Sequence, residues 1–394
     1  MKVRASWGIT GNNNIGNYTH YALVNLGENA VFNNSVESGS AVSNISNKNL
    51  GWERTSQIDL GVDVSLLKNR INLAYDFYTK KTNDLLYNFS IAPSSGYTNF
   101  IGNSGELKFW GHEFSVDAKI LTGDFKWNAS FNISFSNNKV LSLADNVSAV
   151  YSANGNHITQ VGQKIGLFWG LVHDGVYDNQ AEYDASAKAP SSAVGTVKFK
   201  DMNADGQILN TNTGGDRVVI GDPSPDFLYG FTNNFSYKNF DLSISCSGSQ
   251  GNQIANMFEQ GATNLDGPFN VLRSVKDRWR SPENPGKGLY GTTKYSTFME
   301  RDWFNSRFIQ DGSFLTIKNV TLGYTVDVSR MKFLKNLRVY ASVQQLYTFT
   351  KYNGNNPEVS TNFDGTPVSV LAMGDDYAAY PVPRTWTFGI NVGF

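Results

Sequence analysis

Stretch after stretch of this chain is apolar at every second position, and a period of two limits it to strands with one apolar and one polar face. Ile58, Leu60, Val62, Val64 and Leu66 alternate with Asp59, Gly61, Asp63 and Ser65. Phe125, Trp127, Ala129, Phe131, Ile133 and Phe135 alternate with Lys126, Asn128, Ser130, Asn132 and Ser134. That run exceeds the about 5–6 residues of a typical globular strand and reaches the about 9–11 that a tilted strand needs to cross a bilayer. The pattern recurs at residues 3–9, 71–79, 114–120, 227–237, 240–246, 320–326, 337–343 and 386–394, which makes roughly ten spanning strands.

The connections alternate in length. Short turns fall at residues 67–70, 121–124 and 238–239, with a longer one at 327–336, whereas polar segments at 11–51, 137–226, 247–311 and 351–383 join other strand ends. Outer-membrane barrels show this asymmetry, with short periplasmic turns and long extracellular loops. If strand 3–9 runs outward, strict reversal brings the last strand inward, to end at Phe394 on the periplasmic side. The fold expected is all-β: an antiparallel transmembrane β-barrel that uses residues 1–394 as one architecture. A soluble glycan-binding β-sandwich is the alternative, but its strands are short, its connections are short at both ends, and one face is buried in a dry core. Here the second face carries Asp, Lys, Asn and Ser, as a water-filled lumen requires.

Composition supports this reading. Charged residues are 17% of the chain, against roughly 25% in soluble domains. With 33 basic and 34 acidic side chains the net charge is −1, which gives no electrostatic case for nucleic acid. The single Cys246 excludes a disulfide framework and reads as a small side chain on an apolar strand face. No run approaches the about 20 apolar residues of a spanning helix, and the opening MKVRASW alternates like a strand instead of forming a signal peptide.

Enzyme signatures are absent from the sequence: there is no G-x-S-x-G, H-E-x-x-H or Walker-type loop, and His20, His112, His157 and His173 are scattered. The one motif with local chemistry is DMNADGQI at residues 201–208, which follows the D-x-N-x-D-G-x-I pattern of a calcium loop. Oxygens at Asp201, Asn203, Asp205 and Gln207 recur at alternate positions, and Gly206 permits the sharp turn that wraps a hard cation. The usual closing Glu is replaced by Asn212, so Asp216 would have to fold back to complete the shell around a structural Ca²⁺. The same residues also suit an Asx-rich turn with no metal. No other cofactor is indicated. Aromatic residues in the long segments, Tyr18, Tyr21, Tyr151, Phe168, Trp169, Tyr177, Trp279, Tyr290 and Trp303, suit stacking on sugar rings, or else packing of the loops on one another.

Longer strings carry a family resemblance. RASWGITGNNNIGNY at 4–18, NLGWERTSQIDLGVD at 49–63, NRINLAYDFYTKKTNDLLYN at 69–88, GDPSPDFLYGF at 221–231, RFIQDGSFLTIKNVTLGYT at 307–325 and PRTWTFGINVGF at 383–394 resemble the C-terminal half of the SusC/RagA family of TonB-linked outer-membrane proteins. Thr316 departs from the Arg common in that family. The resemblance implies a barrel of about 22 strands plugged by an N-terminal domain, of which this chain would be the C-terminal part without plug or signal peptide. It also implies import of large nutrients, oligosaccharides or sometimes peptides. Expected partners are a SusD-like surface lipoprotein, TonB acting through the plug, and the outer-membrane bilayer, and the terminal strand would be read by the barrel-assembly machinery. A siderophore or cobalamin receptor shares the architecture and is the alternative transporter.

Overall fold

The computed structural model describes all residues except 14–15, 91–92, 98, 145–146, 266–269, 294–302, 332, 360–368 and 370, with backbone alone at 87–90, 93 and 99. Asn14 and Ile15 of the string at 4–18 thus lie outside the described residues.

Ten strands form one sheet in chain order, every neighbouring pair antiparallel. They are β1 (Lys2–Asn12), β2 (Glu53–Leu66), β3 (Ile71–Asn83), β4 (Glu106–Thr122), β5 (Phe125–Ser142), β6 (Phe227–Tyr237), β7 (Phe240–Gln250), β8 (Phe314–Thr325), β9 (Asn336–Thr350) and β10 (Thr385–Gly393). The sheet is open, with β1 and β10 as its two edges. Every expected spanning strand is present. At one end the turns are short, and Leu67, Lys68 and Asn69 make the first of them with φ of 52°, 57° and 64°. Three successive left-handed residues without a glycine reverse the chain there, helped by the Arg70 N–H, which donates to Leu66 O at 3.1 Å.

Register converts the period of two into a continuous surface. Val3, Val62, Tyr75, Phe114, Ile133 and Tyr229 stand opposite one another across β1 to β6. Trp127, Phe235, Leu242, Leu322, Ala341 and Phe388 do the same across β5 to β10. Among the described residues none covers Trp7, Phe388 or Ile390 on this face, which are 68%, 77% and 66% exposed. An apolar surface ten strands wide exceeds anything a monomer leaves in water and matches the lipid-facing band of a transmembrane barrel.

Two features lengthen the strands beyond the alternation seen in sequence. Several continue past the apolar band, so that β3 runs to Asn83 and β5 to Ser142, well beyond residues 79 and 135. Elsewhere the period itself slips: the register of β8 against β9 skips from Ile317↔Tyr347 to Asn319↔Gln344, and Gln345 takes φ 52°. This bulge explains why the alternation stops at Val320 in β8 and at Val343 in β9.

At the other end, the segments between β5 and β6, β7 and β8, and β9 and β10 fold into a cap with its own core. Phe168, Ala255, Met257, Phe304 and Phe308 form one buried cluster. Leu171, Ala189, Val197, Phe199 and Ile208 form another, with Trp303 packed against it. The cap is fastened to the sheet through β5: Val140 N–H donates to Gln163 O, Gly162 N–H to Val140 O, and Ile165 N–H to Asn138 Oδ1.

Candidate functional site

The polar face of the sheet carries two matching ionic rows. Arg4 on β1 stands opposite Gly61 on β2, which stands opposite Asp76 on β3. The guanidinium passes over the glycine, with Nη1 2.8 Å from Asp76 Oδ1, while Nε and Nη2 donate to Asp63 at 3.0 and 2.9 Å. Near the other edge Arg338 on β9, which stands opposite Thr325, reaches diagonally over Gly323 on β8 to Asp241 on β7, with Nε 3.0 Å from Oδ1 and Nη2 2.5 Å from Oδ2. The glycines are required by space: a Cβ would lie 2.7 Å from Arg4 Cζ at residue 61 and 2.3 Å from Arg338 Nη2 at residue 323. Charges in these positions suit a hydrated lumen and would be costly against lipid.

Thr316 is fully buried on the polar face, bonded to Thr348 Oγ1 at 2.9 Å and to Glu358 at 3.4 Å. The cation beside it comes from Lys318, the residue at the bulge, whose Nζ lies 2.6 Å from Glu358 Oε2.

Inside the cap a buried polar seam joins chain segments more than two hundred residues apart. Asn154 donates to Asp375 Oδ2 at 2.8 Å and to the Tyr377 hydroxyl at 3.2 Å. His157 Nε2 lies 3.1 Å from Met373 O and 3.5 Å from Asp375 Oδ1. Residues 375–376 pair in parallel with Ala255 and Asn256, and the Tyr352 hydroxyl donates to Asp376 Oδ2 at 2.5 Å. A histidine and a carboxylate this close ordinarily hold each other charged, but burial prevails here. It pushes His157 down to about 4 and Asp375 up to about 7, the latter opposed only in part by the Asn154 bond. Nothing in the sequence announces the seam, because its members come from distant segments and no spacing links them.

The loop at 201–208 closes on itself through carboxylates. Asp201 accepts backbone N–H groups from Ala204 at 2.6 Å and Gly206 at 2.8 Å, and these bonds hold its carboxyl below the usual range. Asn203 Oδ1 accepts from Asp205 N–H, and Asp205 Oδ1 from Gln207 N–H. Gly206 has φ 81°, the sharp turn that a cation loop needs at that position. Asp216 is fully buried, its two oxygens accepting from Met202 N–H and Leu209 N–H, each at 2.8 Å. Among the described residues no three His, Cys, Asp or Glu side chains gather closely enough to hold an ion. The oxygens of Asp201, Asn203 and Asp205 are turned to the loop's own N–H groups, as in an Asx-rich turn, and Asp216 braces the loop from within the cap.

Most aromatic residues singled out by sequence pack the cap. Phe168, Tyr177, Trp279 and Tyr290 are buried, and Trp303 lies against Phe199. Tyr18 and Tyr21 are exposed. Tyr151 and Trp169 are half-buried neighbours, and the Trp169 indole N–H donates to Asn212 Oδ1 at 3.2 Å.

Known proteins share this architecture. Residues 1–215 match the family described as TonB dependent receptor-like, beta-barrel. TonB-dependent receptor P3 of Formosa agariphila is 36% identical over 407 residues, covering 100% of this chain and 39% of the relative. TonB-dependent receptor SusC of Bacteroides thetaiotaomicron is 30% identical over 410 residues, covering 100% of this chain and 37% of the relative. The chain thus spans about two fifths of the length of the curated relatives it matches. In fold it is similar to the RagAB peptide importer in its open-open state, at TM-score 0.80 and 22% identity, over 100% of this chain and 40% of that one. With more than half of the chain matching the family and the ten-stranded sheet it calls for, the chain belongs to the TonB-dependent receptor β-barrels of the bacterial outer membrane, among relatives of the SusC/RagA kind.

Proposed function

We propose that the receptor containing this chain imports large nutrients, chiefly oligosaccharides, drawing energy from TonB and working with a SusD-like surface lipoprotein. The carrying observation is the likeness to SusC along the whole chain, joined to a cap of long connections on the extracellular side. In this reading the lumen-facing ionic rows brace the barrel wall, and the cap forms part of the mouth where substrate is captured. The matched relatives are receptors, and the chain is inferred to do no catalysis.

The test is a deletion of the whole receptor gene in its native host, followed by growth on single oligosaccharides, on peptides, and under iron or cobalamin limitation. Loss of growth on an oligosaccharide supports the reading. Loss confined to peptides moves the substrate class, and loss confined to iron or cobalamin, without an adjacent lipoprotein gene, replaces it with the siderophore or cobalamin alternative.

The loop at 201–216 is inferred to hold a structural Ca²⁺, with Asp201, Asn203 and Asp205 as side-chain ligands, Gln207 contributing its backbone carbonyl, and Asp216 securing the turn. Bound calcium would supply rigidity to this part of the cap. Metal analysis of the intact receptor decides it: absence of calcium from the purified wild-type protein overturns the inference.

A further inference from the structure

At the short-turn end the lipid-facing rows finish in aromatic rings. Tyr237 stands opposite Phe240, and Phe240 opposite Tyr324, with the Phe240 and Tyr324 centroids 4.7 Å apart. Tyr237 is 47% and Phe240 53% exposed. Transmembrane barrels carry such girdles where hydrocarbon gives way to headgroups, and short turns lie on the periplasmic side. This end of the rows therefore meets the inner, phospholipid leaflet of the outer membrane.

The turn from β8 to β9 carries the row past the girdle. Val326 shares the parity of Leu322 and Tyr324, and its N–H donates to Leu337 O at 2.8 Å. The turn then exposes Met331 and Phe333, the latter at 70%. It rejoins the sheet where the Lys335 N–H donates to Gly393 O at 2.8 Å, one residue before the exposed Phe394. Between this turn and the one at 238–239 a cleft of about 510 Å³ is lined by Asn239, Asp327, Ser329, Met331, Leu334 and Lys335. A polar cleft at the foot of an apolar face offers one lipid both a headgroup site and a bed for its chains.

Cations outnumber carboxylates around it. Lys335 lines the cleft, Arg330 stands on the same turn, and Lys238 lies on the neighbouring turn with its Nζ 5.3 Å from the Tyr237 centroid. None of the three is ion-paired with a described carboxylate. Asp327, the one carboxylate among the lining residues, accepts the Ser329 N–H at 3.0 Å and bonds the Ser329 hydroxyl, so it is engaged within its own turn. Three cations against one carboxylate favour a headgroup of net negative charge and disfavour one that brings an ammonium of its own.

We propose that this cleft binds one anionic phospholipid of the periplasmic leaflet, its phosphate held by Lys335 and Arg330 and its acyl chains lying along Phe240 and Tyr324. The cleft is continuous with the surface that meets lipid, and its charge complements the phosphate. The bound lipid fastens the turn between β8 and β9, and through the Lys335 bond the terminal strand, at headgroup depth.

The test uses the full-length receptor, delipidated in detergent, with phosphatidylglycerol or phosphatidylethanolamine of equal chain length added and retention read by native mass spectrometry. Phosphatidylglycerol should be retained about tenfold more than phosphatidylethanolamine. The double variant Arg330→Gln/Lys335→Gln should lose that preference, and Phe333→Ala should lower retention of both lipids. Arg273→Gln/Lys276→Gln, which removes two exposed cations from the cap, should leave the preference intact. Equal retention of the two lipids by the wild type, an unchanged preference in the Arg330/Lys335 variant, or an equal loss in the cap variant overturns the proposal. Barrel integrity in each variant is checked independently by its heat-modifiable migration on gels.

Discussion

Arg338 reaches Asp241 across an intervening strand, its Nε 3.0 Å from Oδ1, because the residue between them is Gly323. Gly323→Val should break this contact, since any Cβ there falls 2.3 Å from Arg338 Nη2. Both partners keep partial access to solvent, so the loss is about 1 kcal/mol from the ion pair, plus the strain of moving the guanidinium. Urea titration of the full-length receptor followed by gel mobility measures it. Arg338→Leu in the Gly323→Val background should then cost little more, because the pair is already gone.

The two faces of one strand should respond oppositely to charge. Phe231 pairs with Phe131 and Cys246 in the lipid-facing rows, and Thr232 pairs with Ser130 and Ser245 on the polar face. Phe231→Arg should destabilise the barrel by about 2–4 kcal/mol if it lies near the bilayer midplane, and Thr232→Arg by less than about 1 kcal/mol. Refolding into vesicles over a denaturant series separates them, and equal costs would mean that the faces are assigned the wrong way round.

The seam at His157 and Asp375 should make the cap sensitive to pH. Asp375 is raised from 3.8 to about 7, so the folded cap binds more protons than the unfolded chain in that interval, and this contribution is lost as pH rises through 7. His157 is lowered from 6.5 to about 4, so it acts in the opposite sense: it penalises the fold as pH falls through that window. The two slopes offset each other below about 6.5, and Asp375 alone acts between there and 7. Asp375→Asn removes its share and should protect the cap relative to wild type increasingly from pH 4 to 7, by at most about 4 kcal/mol. Hydrogen exchange at residues 152–158 and 373–377 is the measurement, and a difference independent of pH would refute it.

Asp216 and Asp205 should be separable. Asp216→Ala orphans the N–H groups of Met202 and Leu209 inside the cap, which costs about 2–4 kcal/mol whether or not an ion is present. Asp205→Ala removes acceptors only for two exposed donors, the Gln207 N–H and the Asn203 amide, so its cost should appear chiefly in calcium and be small in chelator. Thermal melts of the intact receptor in both conditions provide the comparison.

What the sequence revealed follows physical range. Alternation is a local property, so Ile58 to Leu66 and Phe125 to Phe135 declared their strands without reference to any partner. At Lys318 and Gln345 the bulge shifts the parity, and a strand longer than its apolar run becomes unreadable there. The Asp201–Asp205 turn was legible because the donors and acceptors that close it lie within one loop. His157 with Asp375 was not, because neither residue has a local pattern and only the fold of the cap brings them together.

The unequal strands shape the mouth of the barrel. β5 pairs with β6 up to Ser134↔Leu228 and then continues to Ser142 without it. At about 3.4 Å per residue and a tilt of about 40°, that extension raises the wall by about 20 Å above the neighbouring hairpin. The rim is therefore a parapet, tall along β4 and β5 and low at β6 and β7. On the low side the wall above the strand ends is made by the cap segments that enter β6 and leave β7, so its height there rests on loop packing, while along β4 and β5 it rests on a continuous hydrogen-bonded ladder.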